Sequence, residues 1–402
     1  MRPLGYLALL SLGVAVNAQA NNPALQELFF DACGSATGTL AARCGETPDG
    51  LGDLSGDSES SLNPSQILSG NVSGIEAAQA KAREARERAR NGESADLSVG
   101  PFSLLVNARY TNEERTRDPA TDRERGYELS QRGLELGLDY RVSDRIVWGG
   151  IFSYEKGDLD FAGERPGVNF TPASQAGKID RDSLGLAAFV ALAFDSGAYL
   201  DLTAGYDWDD LTIERRSVFQ ETTRSVPQTD SLTRGSTDGS QWWMGVNGGR
   251  DWNAGANSYG IYGGVTYTRS EVDSYDENDL SNTGLAMSFA SVKRNSLMGR
   301  IGVRGQRAVS TAQGVLIPQV RVEYEREFDG DPDDTRASYL LDTNRNQLTL
   351  SGDSASGGYF NVGLGLLAVL PNGWMPFIDV EALVGESDWD RYRVALGLRK
   401  EL

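Results

Sequence analysis

From Val99 onward the chain alternates, with apolar side chains on every second residue and polar or small ones between. A period of two is a strand period. The last stretch, Gly357 to Leu402, displays it best. Phe360, Val362, Leu364, Leu366 and Ala368 share one side, and Asn361, Gly363 and Gly365 sit between them. Pro371-Asn372-Gly373 turns the chain tightly. A second strand follows from Trp374 and a third from Trp389, where Tyr392, Val394, Leu396 and Leu398 oppose Arg393, Ala395, Gly397 and Arg399. Strands with one apolar face and one polar face, kept up over most of a chain, predict a closed barrel with a wet interior and a greasy exterior.

The same alternation places Phe102, Leu104, Val106, Ala108 and Tyr110 on one face, then Leu134, Leu136, Leu138 and Tyr140. Ile146, Trp148, Phe152 and Tyr154 follow, then Leu184 to Leu192 and Leu200 to Trp208. Gln241 to Asp251, Tyr259 to Tyr267, Asn295 to Arg307 and Leu316 to Tyr324 complete the pattern, and with the three C-terminal strands the count is twelve. Short links fall at Val142 to Arg145, Asp195 to Gly197, Trp252 to Ala256, Ala308 to Ala312 and Pro371 to Gly373. Long ones fall near Asn112 to Gly126, Glu155 to Lys178, Glu214 to Thr237, Val272 to Met287 and Phe328 to Ser356. Short turns on one rim and long loops on the other are the habit of outer-membrane barrels. An even count puts both barrel ends on the periplasmic side. Aromatic pairs such as Trp148 with Tyr154, and Tyr259 with Tyr267, bracket an apolar band roughly 20 Å tall.

Composition agrees. A mean hydropathy of −0.39 rules out a helical membrane protein, but a barrel escapes that test because only alternate residues face lipid. The 47 glycines in 402 residues exceed the usual ~7 % and suit curved, closely approaching strands. A formal charge of −19 argues against nucleic acid as a partner. The chain has no histidine and only two cysteines, which excludes Ser-His-Asp and Cys-His catalysis and His-ligated zinc. No cofactor or metal site is expected. Asp329, Asp331, Asp333 and Asp334 have calcium-like spacing, but Asp334 stands where an EF-hand loop needs glycine and Leu340 where it needs glutamate. They read as a solvated loop.

Residues 1–20 form the expected signal peptide. Arg2 supplies the positive start, Leu4 to Val16 is too short to span a bilayer, and Ala18-Gln19-Ala20 is a small-x-small cleavage pattern. Residues 21–70 read as a short polar module with a short helix at Leu25 to Cys33 and loop from Gly45 to Gly56. Cys33 and Cys44 enclose ten residues, and an oxidising compartment favours their disulfide. Gly52-Asp53-Leu54-Ser55 and Gly56-Asp57-Ser58 superficially match a hydrolase block. No α/β pattern surrounds them and no histidine exists to activate a serine.

Residues 71–92 make the one strong helix, with Ser73 and Glu76 as a capping pair. Ile75, Ala78, Ala82, Ala85 and Ala89 form a thin stripe. Lys81, Arg83, Arg86, Arg88 and Arg90 outnumber Glu76, Glu84 and Glu87. A solvated helix held by i,i+4 pairs would look the same. Its place directly before the first strand favours a slim basic helix inside an acidic barrel lumen, with Ala78, Ala82 and Ala85 against the wall and Arg83, Arg86 and Arg90 pairing with it.

The segments LIPQVRVEYEREF (316–328), YFNVGLG (359–365), GWMPFIDVEAL (373–383) and Tyr392 to Leu402, together with twelve strands and a preceding helix, resemble the autotransporter β-domain of type V secretion over about residues 95–402. The resemblance implies a 12-stranded antiparallel transmembrane β-barrel with an α-helix in its lumen, exported to the Gram-negative outer membrane. It implies outer-membrane lipid, periplasmic chaperones and the barrel-assembly machinery as partners, and a monomeric barrel. It also makes Tyr392, Val394, Leu396, Leu398 and Leu402 the assembly signal, although the family usually ends in an aromatic residue and this chain ends in Leu402. The large passenger of the family is not found between signal and helix. The expected function is therefore to anchor or translocate a short N-terminal segment and to display acidic loops. Two alternatives remain: a porin-like channel plugged by residues 71–91, and a barrel-borne hydrolase whose best carboxylates are Asp207 and Asp209. The chain is not expected to be an enzyme.

Overall fold

The computed structural model describes residues 23–46, 53–55, 78–83, 101–116, 126–163, 175–220, 227–330, 333–350 and 357–402. Twelve long strands form a closed antiparallel barrel. They are β1 (Phe102–Arg115), β2 (Tyr127–Ser143), β3 (Ile146–Ala162), β4 (Gln175–Ala193), β5 (Ala198–Gln220), β6 (Thr229–Ala254), β7 (Asn257–Val272), β8 (Val292–Arg307), β9 (Gly314–Asp329), β10 (Tyr359–Val369), β11 (Trp374–Val384) and β12 (Trp389–Glu401). Neighbours in sequence pair with one another, and β12 closes the ring on β1 in register from Glu401↔Ser103 to Trp389↔Arg115. The amide of Leu402 donates to the carbonyl of Phe102 at 3.0 Å. The two ends of the barrel chain therefore meet at one rim. Closure leaves no unpaired strand edge, which a bilayer would not tolerate.

The outer wall follows the expected parity. Leu134, Leu136, Leu138, Val246, Val265, Val303 and Leu396 are exposed on it. Exposed aromatics bound this apolar band. Phe102, Trp148, Trp252, Tyr259 and Trp374 lie near the short turns, and Tyr154, Trp208, Trp242, Phe360 and Tyr392 lie toward the other rim. The short-turn rim is tight: in Pro371–Gly373 both Asn372 (φ 62°) and Gly373 (φ 74°) take the left-handed conformation, which Asn and Gly adopt at least cost.

Three of the five expected long loops are largely strand, while the long connections after Val272 and after Asp329 stand as expected. β1 continues to Arg115 and β2 begins at Tyr127; β3 reaches Ala162 and β4 starts at Gln175; β5 and β6 pair as far as Phe219↔Thr229. Above the upper aromatics the alternation changes phase. Leu129, Leu159, Phe161, Ile179, Leu211 and Ile213 point inward and are buried, while Glu114, Glu128, Asp158 and Asp160 are exposed outside. A reading that equates apolar with outward takes such strands for loop. The true loops contribute a small second sheet. Tyr275–Asp276 and Met287–Phe289, from the β7–β8 connection, join Thr335–Tyr339 and Leu348–Leu350, from the β9–β10 connection.

Two helices precede the barrel, α1 (Pro23–Cys33) and α2 (Gly38–Gly45). Asp53–Ser55 adds a short strand on the end of β5, opposite Val218–Gln220; the sequence reads this as loop. Residues 78–83 are helical. The expected signal peptide and the helix cap at Ser73 and Glu76 lie outside the described residues.

Candidate functional site

The helical residues 78–83 lie inside the barrel. Ala78 and Ala82 are completely buried. Ala82 packs on Val147, Phe189 and Ala191, and Ala78 on Ile151 and Trp243. These contacts come from β3, β4 and β6, on one side of the wall. Glycines on the wall make room. A Cβ at Gly137 would stand 3.3 Å from the Lys81 side chain, and one at Gly245 the same distance from Gln79. Alanine and glycine at facing positions let a helix and a wall approach closely.

Polar contacts fix the helix in register. Lys81 Nζ meets Asp139 Oδ2 at 2.8 Å with neither side chain exposed. Gln79 Nε2 donates to Thr266 Oγ1 at 3.2 Å, and Arg300 donates to Gln79 Oε1. Arg83 is half-buried in the lumen. Ala85, Arg86 and Arg90 lie outside the described residues.

The wall balances much of its own charge. Arg109 bonds Glu135 at 2.8 Å and Glu155 at 3.2 Å. Arg181 bonds Asp209 at 2.7 Å and Glu155 at 3.2 Å. Arg321 bridges Asp379 at 2.6 Å and Glu381 at 2.7 Å, and Arg304 holds Asp251 at 2.8 Å. Of the two carboxylates the sequence offers for catalysis, Asp209 is thus ion-paired, and Asp207 accepts a hydrogen bond from Trp243 Nε1 at 3.3 Å.

At the long-loop rim the interior is dry, a correction to the expected wet lumen. Leu25, Leu28, Phe29 and Ala32 of α1 and Leu40 of α2 enter one buried cluster. It includes inward residues of five strands: Tyr127 and Leu129, Leu159 and Phe161, Ile179, Leu211 and Ile213, and Val272. The small sheet closes it with Tyr275, Met287, Phe289, Ala337, Tyr339, Leu348 and Leu350. The first helices are therefore the hydrophobic partner of the loops rather than a polar module. Five buried apolar side chains at roughly 2 kcal/mol each supply on the order of 10 kcal/mol before ordering costs.

Specific bonds orient this cap. Cys33 and Cys44 form a disulfide that ties α1 to α2. Thr37 N donates to Leu341 O at 2.9 Å, Thr343 N to Ser35 O at 3.2 Å, and Asn346 Nδ2 to Asp31 O at 3.1 Å. Asp342 accepts from the Ser35 hydroxyl and from the amides of Asn344 at 3.0 Å and Asn346 at 2.7 Å. Burial alone pushes the Asp342 carboxyl up, but these donors outweigh it and hold it below the usual carboxylate range. Gly284, at φ 85°, lies under α2; a Cβ there would stand 2.3 Å from the Leu40 amide nitrogen. Below, Arg215 grips Glu277 through two bonds of 2.6 and 2.9 Å and donates to Leu285 O at 2.8 Å. That ion pair anchors the β7–β8 connection to the wall of β5.

In β12, Tyr392, Leu396 and Leu398 are exposed on the lipid face and Val394 is half-buried; Leu402, just past its end, is also exposed. Sequence reasoning missed the cap and the wall arginines. The signal for the cap was the run Leu25, Leu28, Phe29, Ala32, an i, i+3, i+4, i+7 stripe that marks a helix with a partner.

Residues 108–381 match a family model described as the autotransporter β-domain. No curated protein matches the sequence. Among solved structures, the barrel is similar to the translocator domain of the autotransporter NalP from Neisseria meningitidis. The TM-score is 0.54 and the identity 16 %, with 82 % of this chain and 98 % of that one covered. The β-domain of the Bordetella autotransporter Brka is 18 % identical, with a TM-score of 0.49 over 75 % of this chain and all of that one. At such identities the likeness is one of fold.

Proposed function

Because the chain belongs to the autotransporter β-domain family, a family of outer-membrane barrels, we propose that it carries a short N-terminal segment across its own lumen and keeps that segment seated on the outer rim. One observation carries the reading. Residues 23–46 pack on the long-loop rim, β1 starts at the short-turn rim, and residues 78–83 lie in the lumen between the two. A chain threaded in this way has its N-terminal part on the side opposite the barrel's own ends. Long loops face the exterior in such barrels, so the disulfide-closed helices are displayed at the cell surface as an anchored cap.

An epitope inserted after Gly34, an exposed residue in the turn between the helices, tests this. Antibody is expected to label intact cells, and the tag to stay on the same polypeptide as the barrel. Labelling only after permeabilisation, or a tag on a separate fragment, would refute it. The dry cluster at the mouth weighs against an open porin-like channel. We assign the chain no chemical step, since Asp207 and Asp209 are engaged in the wall. The partners of this reading are lipid and the machinery that assembles such barrels, with the barrel acting as a monomer.

A further inference from the structure

We infer that the barrel is closed twice, by two seals of different chemistry in series, and that the outer seal is latched by the Cys33–Cys44 disulfide. The inference rests on the cap staying docked as proposed above. The inner seal is polar. Lys81 pairs with Asp139, and Gln79 bonds Thr266 and Arg300. Lys81 and Asp139 are both buried, so this seal holds by charge and hydrogen bonding in a low-dielectric lumen.

The outer seal is apolar. α1 lays Leu25, Leu28, Phe29 and Ala32 into a mouth whose wall has itself turned apolar. The inward phase of β2 to β5 changes from Gln131, Glu155, Arg181 and Asp209 to Leu129, Leu159, Ile179 and Leu211 within one or two inward positions. A wall meant only to pass solutes or an unfolded chain has no need of an apolar tier. Such a tier costs free energy while exposed to water and is stabilising once filled.

The two parts of the outer seal are unequal. α1 contributes four side chains to the buried cluster, whereas α2 has Leu40 as its one buried residue. α2 nonetheless lies over Gly284 of the β7–β8 connection, and the Arg43 guanidinium reaches Thr229 at the start of β6. One buried leucine with the hydrogen bonds of Thr37 and Arg43 is a weaker hold than the four buried side chains of α1. The covalent link from Cys44 to Cys33 makes α2 share the hold of α1. Reduction is therefore expected to release α2 first and unseat the lid over the β5–β7 side of the mouth.

The test measures ionic current through the mature protein in planar bilayers, with folding checked by heat-modifiable gel migration. The intact chain and a variant lacking residues 71–91 are both expected to stay closed under oxidising conditions, the latter because the cap still fills the mouth. Adding dithiothreitol on the long-loop side should then open the helix-deleted barrel, raising its open probability at least tenfold, and leave the intact chain closed. Cys33→Ser/Cys44→Ser in the helix-deleted background should conduct without reductant. Current from the oxidised helix-deleted barrel would overturn the outer seal. Silence of that barrel after reduction, and of its double-serine form, would overturn the latch. Should the deletion not fold, the same readings apply to a full-length chain in which residues 71–91 are replaced by a Gly/Ser linker of equal length. Because the readout is current rather than surface labelling, failure here leaves the location of the cap standing, and failure of the epitope test leaves these currents to be explained separately.

Discussion

Lys81 and Asp139 illustrate how much a single pair decides. Both side chains are fully buried at 2.8 Å, where either charge alone would face a large desolvation cost. Lys81→Met is expected to destabilise the folded barrel by about 3–5 kcal/mol, read from urea unfolding in micelles. Asp139→Asn added to it should recover much of that loss, because no charge is then left unpaired. Recovery would mark the defect as electrostatic rather than steric. Asp342 gives a pH prediction. Its carboxyl is held below the usual range by donors from Ser35, Asn344 and Asn346. A depressed folded value means that its contribution is complete above the ordinary carboxylate pKa and is lost as pH falls through the depressed one. Amide exchange in residues 38–45, normalised to the intrinsic rate at each pH, is therefore expected to rise as pH drops below the carboxylate range in the wild type. Asp342→Asn should show raised exchange already at neutral pH and little further change in acid.

The elements of the cap depend on one another, and their predictions differ accordingly. Gly284→Val sets a side chain against the α2 backbone in a conformation that β-branched residues avoid. It should undock α2 without touching the barrel, seen as faster cleavage after Arg43 with unchanged heat-modifiable migration. Cys33→Ser/Cys44→Ser removes a short-loop cross-link worth about 3 kcal/mol in the chain-entropy view. Hydrogen exchange in residues 38–45 should accelerate by roughly a hundredfold, while α1, held by four buried side chains, changes less. The strands themselves were readable wherever apolar meant outward. Above the aromatic ring the same period persists with the opposite phase, as Leu129, Leu159 and Ile179 turn inward. Period two reports a strand, but it does not say which face is buried.

For the whole molecule, the outer wall is matched to a bilayer. Leu396 is exposed midway between the aromatic levels marked by Tyr392 and Trp374. Leu396→Arg is expected to cost about 2–4 kcal/mol of folding free energy in lipid vesicles, against about 0–1 for Glu128→Lys beyond the band. Equal costs at the two positions would contradict the assigned depth.

The barrel, its twelve strands and the thin lumenal helix were legible because each rests on a local period: two for the strands, 3.6 for the alanine stripe of Ala78 and Ala82. The disulfide was legible because the chain holds only Cys33 and Cys44. Three features were not legible: α1 filling the mouth, two distant loops pairing through Met287–Phe289 and Thr335–Tyr339, and Arg181 rather than a helix arginine meeting Asp209. Each joins residues far apart in the chain, with no period or spacing to announce it. The sequence by itself determined which side chains face together along each strand and helix. Only the closed tertiary structure decided what those faces meet, because a buried contact gains its energy from a partner that local pattern does not specify.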